Sequence, residues 1–90
     1  MEPRPTLRLD KWLWQTRFYK TRTLAAEMVS RGKVRVNANL TKKPATPVGP
    51  GDTLTLVQGR AVRVVRITGL PDRRGPASEA AQCFEDVNSD

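Results

Sequence analysis

Ninety residues with 16 Lys and Arg against 9 Asp and Glu carry a net charge of +7, with no histidine and a single cysteine. A chain this short buries only about two-thirds of the surface its unfolded form exposes, so a surface-binding module fits better than an enzyme with its own substrate cleft. No apolar run approaches the roughly twenty residues that cross a bilayer, and no apolar signal segment opens the chain, so a cytoplasmic protein without membrane contact is expected.

Met1 to Thr6, with Pro3 and Pro5, reads as a flexible arm, followed by a domain over residues 7–70 and a C-terminal turn and short helix over 71–90. From Leu7 the pattern is helical: Leu9, Trp12, Leu13 and Thr16 recur at i, i+3, i+4 and i+7 and form one apolar stripe with Tyr19 at its edge. On the same wheel Lys11, Trp14, Gln15 and Phe18 fall on the opposite, outward side, with Asp10 and Arg17 on the flank. A break at Lys20-Thr21 precedes a second helix, capped by Thr21 or Thr23, with Leu24, Ala25, Met28 and Val29 at helical spacing and Gly32 as its terminator.

Beyond Gly32 the period changes to two. Val34 and Val36 alternate with Lys33, Arg35 and Asn37, giving a strand with one buried and one cationic face. Asn37-Ala38-Asn39 is a turn signal, weakened because Ala tolerates positive φ poorly. A loop with three prolines runs to Pro50 and closes at Gly51-Asp52. Thr53 to Val57 and Ala61 to Thr68 then read as a hairpin across Gln58-Gly59-Arg60. After a charged turn over Pro71 to Pro76, Ala77 to Phe84 is expected as a short helix with Ala80, Ala81 and Phe84 on one side, and Val87 to Asp90 is expected to fray. The expected class is α+β, two N-terminal helices on a small, mainly antiparallel sheet with a short C-terminal helix.

Charge is segregated along this order. Residues 1–43 hold eleven Lys and Arg against three acids, interleaved with Trp12, Trp14, Phe18 and Tyr19, while the remainder holds five against six. A concentrated basic face attracts a polyanion and releases its condensed counterions on contact, which makes nucleic acid the first partner to consider. Catalytic readings fail for lack of parts, and no enzyme is expected. Without histidine there is no Ser-His or Cys-His pair and no Cys/His zinc site, and the glycine spacing matches neither a Walker loop nor a dinucleotide fingerprint. No metal or cofactor is therefore expected. Cys83, near Glu79, Glu85 and Asp86, reads as a small buried hydrophobe, and Asp10 as a first-turn residue that complements the helix dipole and orients a neighbouring Arg.

The residues Arg8-Leu9-Asp10-Lys11-Trp12-Leu13, Lys20-Thr21-Arg22-Thr23-Leu24-Ala25, Gly32-Lys33-Val34-Arg35-Val36-Asn37, Lys43-Pro44 and Gly51-Asp52, in that order and spacing, closely resemble the S-four RNA-binding domain (the alpha-L motif). The resemblance spans about Thr6 to Leu56. Arg17-Phe18-Tyr19-Lys20-Thr21-Arg22 and Arg73-Arg74-Gly75-Pro76-Ala77-Ser78-Glu79-Ala80-Ala81 extend it toward the small, ribosome-associated bacterial heat-shock group of that family. Two departures stand out. Ala38 replaces the usual Gly after Asn, so a wider first hairpin turn is expected, and the sequence stops at Asp90 without the basic C-terminal extension of well-known members. The second departure leaves open a fragment or a member that binds with the core domain alone.

By resemblance, RNA contacts fall on Arg8, Lys11, Arg17, Lys20, Thr21, Arg22, Lys33 and Arg35, with Lys42 and Lys43 as a loop extension. Arg presents a fork of donors suited to phosphate or to stacking on a base, and Lys a mobile charge. Thr21 with the free N–H groups of the second helix makes a phosphate seat, or serves simply as an N-cap. Trp14 is the candidate for stacking on an unpaired base or for packing, while packing is favoured for Phe18. The resemblance implies ribosomal RNA of the large subunit as partner, nascent-chain transfer RNA as a further one, a monomer, and a role in recycling blocked subunits during heat shock. The alternative is an RNA-targeting module of a larger RNA-modifying enzyme or aminoacyl-tRNA synthetase. A DNA reading fits less well, because the second helix offers few side chains suited to base edges.

Overall fold

The computed structural model describes residues 4–87. Its elements are β1 (Leu7–Arg8), α1 (Leu9–Gln15), α2 (Arg22–Ser30), β2 (Val34–Val36), β3 (Asn39–Leu40), β4 (Pro47–Val48), β5 (Thr53–Gln58), β6 (Ala61–Ile67), α3 (Ala77–Ala80), a 3₁₀ turn (Ala81–Cys83) and β7 (Phe84–Asp86). The main sheet has the order β3-β2-β5-β6-β7, antiparallel throughout, and β1 pairs with β4 as a separate two-residue ladder. The architecture is the expected α+β arrangement.

Period-two alternation places Leu54 and Leu56 of β5 and Val34 of β2 on the face that packs against Leu9, Trp12 and Leu13 of α1 and Ala25 and Val29 of α2. Of the expected α2 stripe, Met28 is half-buried and Leu24 is exposed. Thr21 caps α2, its Oγ1 accepting from the Leu24 N–H at 2.9 Å. At the other end Gly32, φ +75°, closes the helix: its N–H donates to Val29 O and the Lys33 N–H to Met28 O, both at 3.0 Å. This pair of bonds is a Schellman motif with glycine in the left-handed position.

The first helix departs from the wheel drawn on the sequence. It stops at Gln15 with the same motif, the Phe18 N–H donating to Leu13 O at 3.0 Å and the Arg17 N–H to Trp14 O at 3.1 Å, and with Arg17 at φ +66° where α2 has glycine. Phe18 and Tyr19 consequently turn inward. Phe18 stacks on Trp12 (centroids 5.8 Å apart) and meets Phe84 at 4.7 Å. Tyr19 is buried, and its hydroxyl donates to Val57 O. The outward placement of Gln15 and Phe18 is therefore corrected, since both are buried.

Four further corrections follow, the first three from long-range pairing. From Arg4 on, the expected flexible arm is held: the Arg4 guanidinium donates to the Asp52 carboxylate at 2.7 Å and to Pro50 O at 3.1 Å, while residues 1–3 lie outside the described residues. Phe84 is not helical but opens β7, which pairs with β6 through Ile67↔Phe84, Arg66↔Glu85 and Val65↔Asp86. Val87, expected to fray, donates its N–H to Val64 O at 2.9 Å, and residues 88–90 lie outside the described residues. Cys83, expected buried, is half-buried.

The first hairpin turn is tight rather than wide. Val36 pairs with Asn39, leaving Asn37 (φ +52°) and Ala38 (φ +77°) as the two turn residues, the both-positive geometry that matches strand twist. An L-residue with Cβ in this region costs roughly 1–2 kcal/mol. Ala38→Gly should therefore raise stability by about 1 kcal/mol, a gain in melting temperature of roughly 4–8 °C for a domain of this size. A melting curve superimposable on the parent's would show that the turn carries no strain.

Burial pushes the Tyr19 pKa up from 10.0 to about 12. A pKa raised by folding means stability present below the unfolded value and lost as pH climbs through the folded one, so this contribution declines between about pH 10 and 12. Tyr19 is the chain's only tyrosine, so tyrosinate absorbance reports it alone. The folded chain should titrate near the upper value and the denatured chain near 10; coincident midpoints would contradict the buried hydroxyl.

Candidate nucleic-acid interface

Asp10 organises the basic face. Its buried carboxylate at the first turn of α1 accepts from Arg8 Nε at 3.0 Å, from Arg8 Nη2 at 3.1 Å and from the Lys11 N–H at 2.8 Å, and Arg22 Nε lies 3.7 Å away. The hydrogen bond and the charge of Asp10 raise the Arg8 pKa, so the guanidinium is charged at every relevant pH. The start of α1 is thus linked to the start of α2, and two guanidinium groups are aimed from one buried anchor. Bidentate charge-assisted contacts of this kind fix direction as well as charge.

The loop bearing Lys42 and Lys43 docks on the same end of α1. The Leu9 N–H donates to Thr46 O at 2.9 Å and the Asp10 N–H to Pro44 O at 3.1 Å, while the Thr41 and Thr46 hydroxyls share a hydrogen bond of 2.8 Å. Lys20 and Thr21 occupy the turn between the helices. With the Leu24 N–H taken by the Thr21 side chain, the Arg22 and Thr23 amides have no acceptor among the described residues and are free for an anion.

A second cluster sits at the far end of α1. Arg17 Nε donates to Gly75 O at 2.6 Å, Arg74 Nε donates to Trp14 O at 3.1 Å, and the Arg74 guanidinium stands 6.0 Å from the centre of the Trp14 ring. Trp14 is half-buried and packs against the core, so Arg74 rather than solvent covers part of it. Arg35 falls elsewhere: it alternates with the buried Val34, which puts it on the sheet face turned away from the helices. Lys33, exposed, follows the end of α2.

Ion pairing sorts the cations. Among the described residues Arg63 pairs with Asp86 at 2.8 Å, Arg66 with Glu85 at 3.0 Å, Arg73 with Glu79 at 3.1 Å and Arg31 with Glu27 at 3.3 Å, whereas Lys11, Arg17, Lys20, Lys33, Arg35, Lys42 and Lys43, and outside this set Arg60 and Arg74, have no acidic partner. Sequence reasoning missed the Arg22–Asp10 link and the Arg74–Trp14 contact. A spacing of twelve or sixty residues leaves no local signature.

This fold and face define a member of the S4 domain family: the family's model, described as S4 domain, matches residues 7–54, and the chain belongs to that family. Within it, the chain is similar to heat shock protein 15 of Escherichia coli K12, 48% identical over 86 residues that make up 96% of this chain and 64% of that protein. The chain thus spans a little under two-thirds of the length of that relative. It is similar also to the RQC P-site tRNA stabilizing factor of Bacillus subtilis, 39% identical over 73% of this chain and 76% of that one. A solved structure described as trimeric heat shock protein 15 of Vibrio cholerae matches with a TM-score of 0.86 at 43% identity, over 92% of this chain and 83% of that one. Trimeric assembly of that relative lends the expected monomer no support.

Arg17 separates backbone strain from contact. Arg17→Gly and Arg17→Ala both remove the guanidinium and its bond to Gly75, but only Gly suits φ +66°. The Gly variant should be more stable than the Ala variant by roughly 1–2 kcal/mol. Equal stability in urea titrations would mean that Arg17 is not held left-handed in solution.

Proposed function

We propose that the chain binds structured RNA through the face built by α1, the α1–α2 turn, the start of α2 and the Lys42–Lys43 loop. The observation that carries this reading is the sorting of charge: cations on the β6–β7 side are neutralised by Asp86 and Glu85, whereas most of those around the two helices have no acid partner among the described residues. Arg8 and Arg22, which do have one, share a single buried carboxylate and leave a local excess of positive charge. Their guanidinium groups stay partly exposed and keep donors for phosphate oxygens.

Membership of the S4 domain family and the names carried by the relatives, heat shock protein 15 and RQC P-site tRNA stabilizing factor, support a ribosome-associated role with ribosomal RNA and transfer RNA as the ligands. Those names favour a binding protein over the targeting arm of an enzyme. In this reading the chain acts in the cytoplasm on a large subunit that still holds a nascent-chain transfer RNA, and its contribution is adhesion and positioning without bond chemistry. The Arg22 and Thr23 amides seat one phosphate at the start of α2, and Lys11, Lys20, Lys42 and Lys43 neutralise its neighbours.

Neutralising six or so phosphates predicts a log–log dependence of affinity on salt with a slope of about −4 to −5, at roughly 0.7 per contact for single strands. Lys20→Ala and Arg22→Ala should each weaken binding to a large-subunit RNA fragment by about 1 kcal/mol with melting temperature retained. Arg66→Ala is the matched control, because its charge is already paired with Glu85. Arg63 is unsuitable as a control, since its guanidinium lies 5.1 Å from the Phe18 ring centre and its loss would disturb the core. Equal losses at positions 20, 22 and 66 would mean that net charge alone, and no defined face, binds RNA.

A further inference from the structure

Where the C-terminal segment folds back on the end of α1 there is a cavity of about 330 Å³, lined among others by Gln15, Gly69, Asp72, Arg73, Glu79 and Gln82. Its volume lies at the lower end of the range that takes small molecules, about 300–1,000 Å³, room for one ring system rather than for a strand. Gln15 is 2% exposed, and its Oε1 is wholly buried without a hydrogen-bond donor among the described residues. Leaving a carboxamide oxygen in that state costs stability, and a side chain such as Met would fill the same space without the cost. Gln15 is part of the cavity wall, and its broad terminal torsion lets the carboxamide rotate there.

The lining carries one Arg against two carboxylates, with Arg73 already bonded to Glu79. This balance repels phosphate and favours a neutral group that donates N–H bonds. A carboxamide is the side chain that matches the adjacent donor and acceptor of an amino-bearing base edge. The cavity also adjoins the basic face, since Gly75 of its wall is bonded to Arg17.

We infer that this cavity receives one unstacked, amino-bearing nucleobase, read by the Gln15 carboxamide with the Asp72 carboxylate at its wall. The inference rests on the proposed RNA face only for the source of the base; the pocket itself can be tested without phosphate. Adenosine, cytidine and uridine, which are uncharged, serve as probes in a titration of the ¹⁵N-labelled chain. Adenosine and cytidine should shift the Gln15 side-chain amide and the Gly69 and Gly75 backbone amides, equally at low and high salt, and uridine, lacking an exocyclic amine, should shift them less.

Gln15→Met should melt at or above the parent temperature, lose these shifts and bind the large-subunit RNA fragment about tenfold more weakly with an unchanged salt slope. No response to any nucleoside in the parent chain, an equal response to all three, or shifts that persist in Gln15→Met would each overturn the inference. The two readings fail separately. Loss of salt-dependent RNA binding in the parent chain would remove the RNA face and leave the nucleoside result standing, whereas normal RNA binding with silent nucleosides would remove only the pocket.

Discussion

The course of the chain beyond α1 depends on one left-handed residue. With Arg17 at φ +66°, the backbone reverses at once, the Phe18 N–H reaches back to Leu13 O, and the next two side chains enter the core instead of continuing around a helix. Phe18 joins Trp12 and Phe84 in an aromatic cluster, and Gln58 Nε2 donates to Phe18 O at 3.2 Å, which fastens the turn to the β5–β6 hairpin. The reversal also sets where α2 begins. Thr21 caps it, and Arg22 is returned to within 3.7 Å of Asp10 at the opposite end of α1. Had the helix run on, Arg22 would lie a turn or more beyond Arg17, and no single carboxylate could serve both Arg8 and Arg22.

Legibility in the sequence depends on which forces act locally. The α+β class, the two helices, the change of period at Gly32 and the main hairpin were all visible, because hydrophobic periodicity and glycine punctuation are properties of neighbouring residues. The two helix ends make the contrast clear. Both close with the same hydrogen-bond pattern, but α2 announces it with Gly32 while α1 uses Arg17, which carries no such signal. Continuing the wheel past Gln15 placed Phe18 among the cations by arithmetic alone. Ala38 misled in the same way, its tight turn being imposed by strand pairing on a residue that disfavours it.

Other features depend on partners far along the chain. Ala80, Ala81 and Phe84 fit a helical face, yet the edge of β6 offers an unpaired ladder, and Glu85 and Asp86 find Arg66 and Arg63 there. The β1–β4 ladder is two residues long, too short for any period to show. Of the basic residues singled out from the sequence, Arg8 and Arg22 gather at the start of α1 and Arg17 lies at its end, whereas the Lys42 side chain reaches back to Gly32 at the end of α2 and Arg35 lies on the far face of the sheet. Identity as a basic residue was legible; direction was not.

Asp52 shows how the remaining acids of the domain are kept from cancelling the basic face. It is buried beneath the β2–β3 turn, where it accepts from Arg4, from Asn37 Nδ2 at 2.9 Å and from the Gly49 N–H at 2.9 Å. Burial alone would push its pKa up, but these hydrogen bonds and the Arg4 charge outweigh that and hold it below the ordinary carboxylate value. Asp10 is likewise withdrawn beneath two guanidinium groups, and Glu85 and Asp86 are committed to β6. Asp10 and Asp52 are therefore buried under cations and Glu85 and Asp86 are paired on β6, while Glu27 pairs with Arg31 along α2 and Glu79 with Arg73. Opposite charges that meet in pairs produce fields that fall away within a few ångströms, whereas unpaired like charges on one surface add, to about a Debye length of 8–10 Å at moderate salt. Of the cations without an acid partner among the described residues, Lys11, Lys20, Lys42 and Lys43 lie on the helices, their turn and the loop docked on them, so their fields add there, while Arg35 on the far sheet face and Arg60 in the β5–β6 turn stand apart.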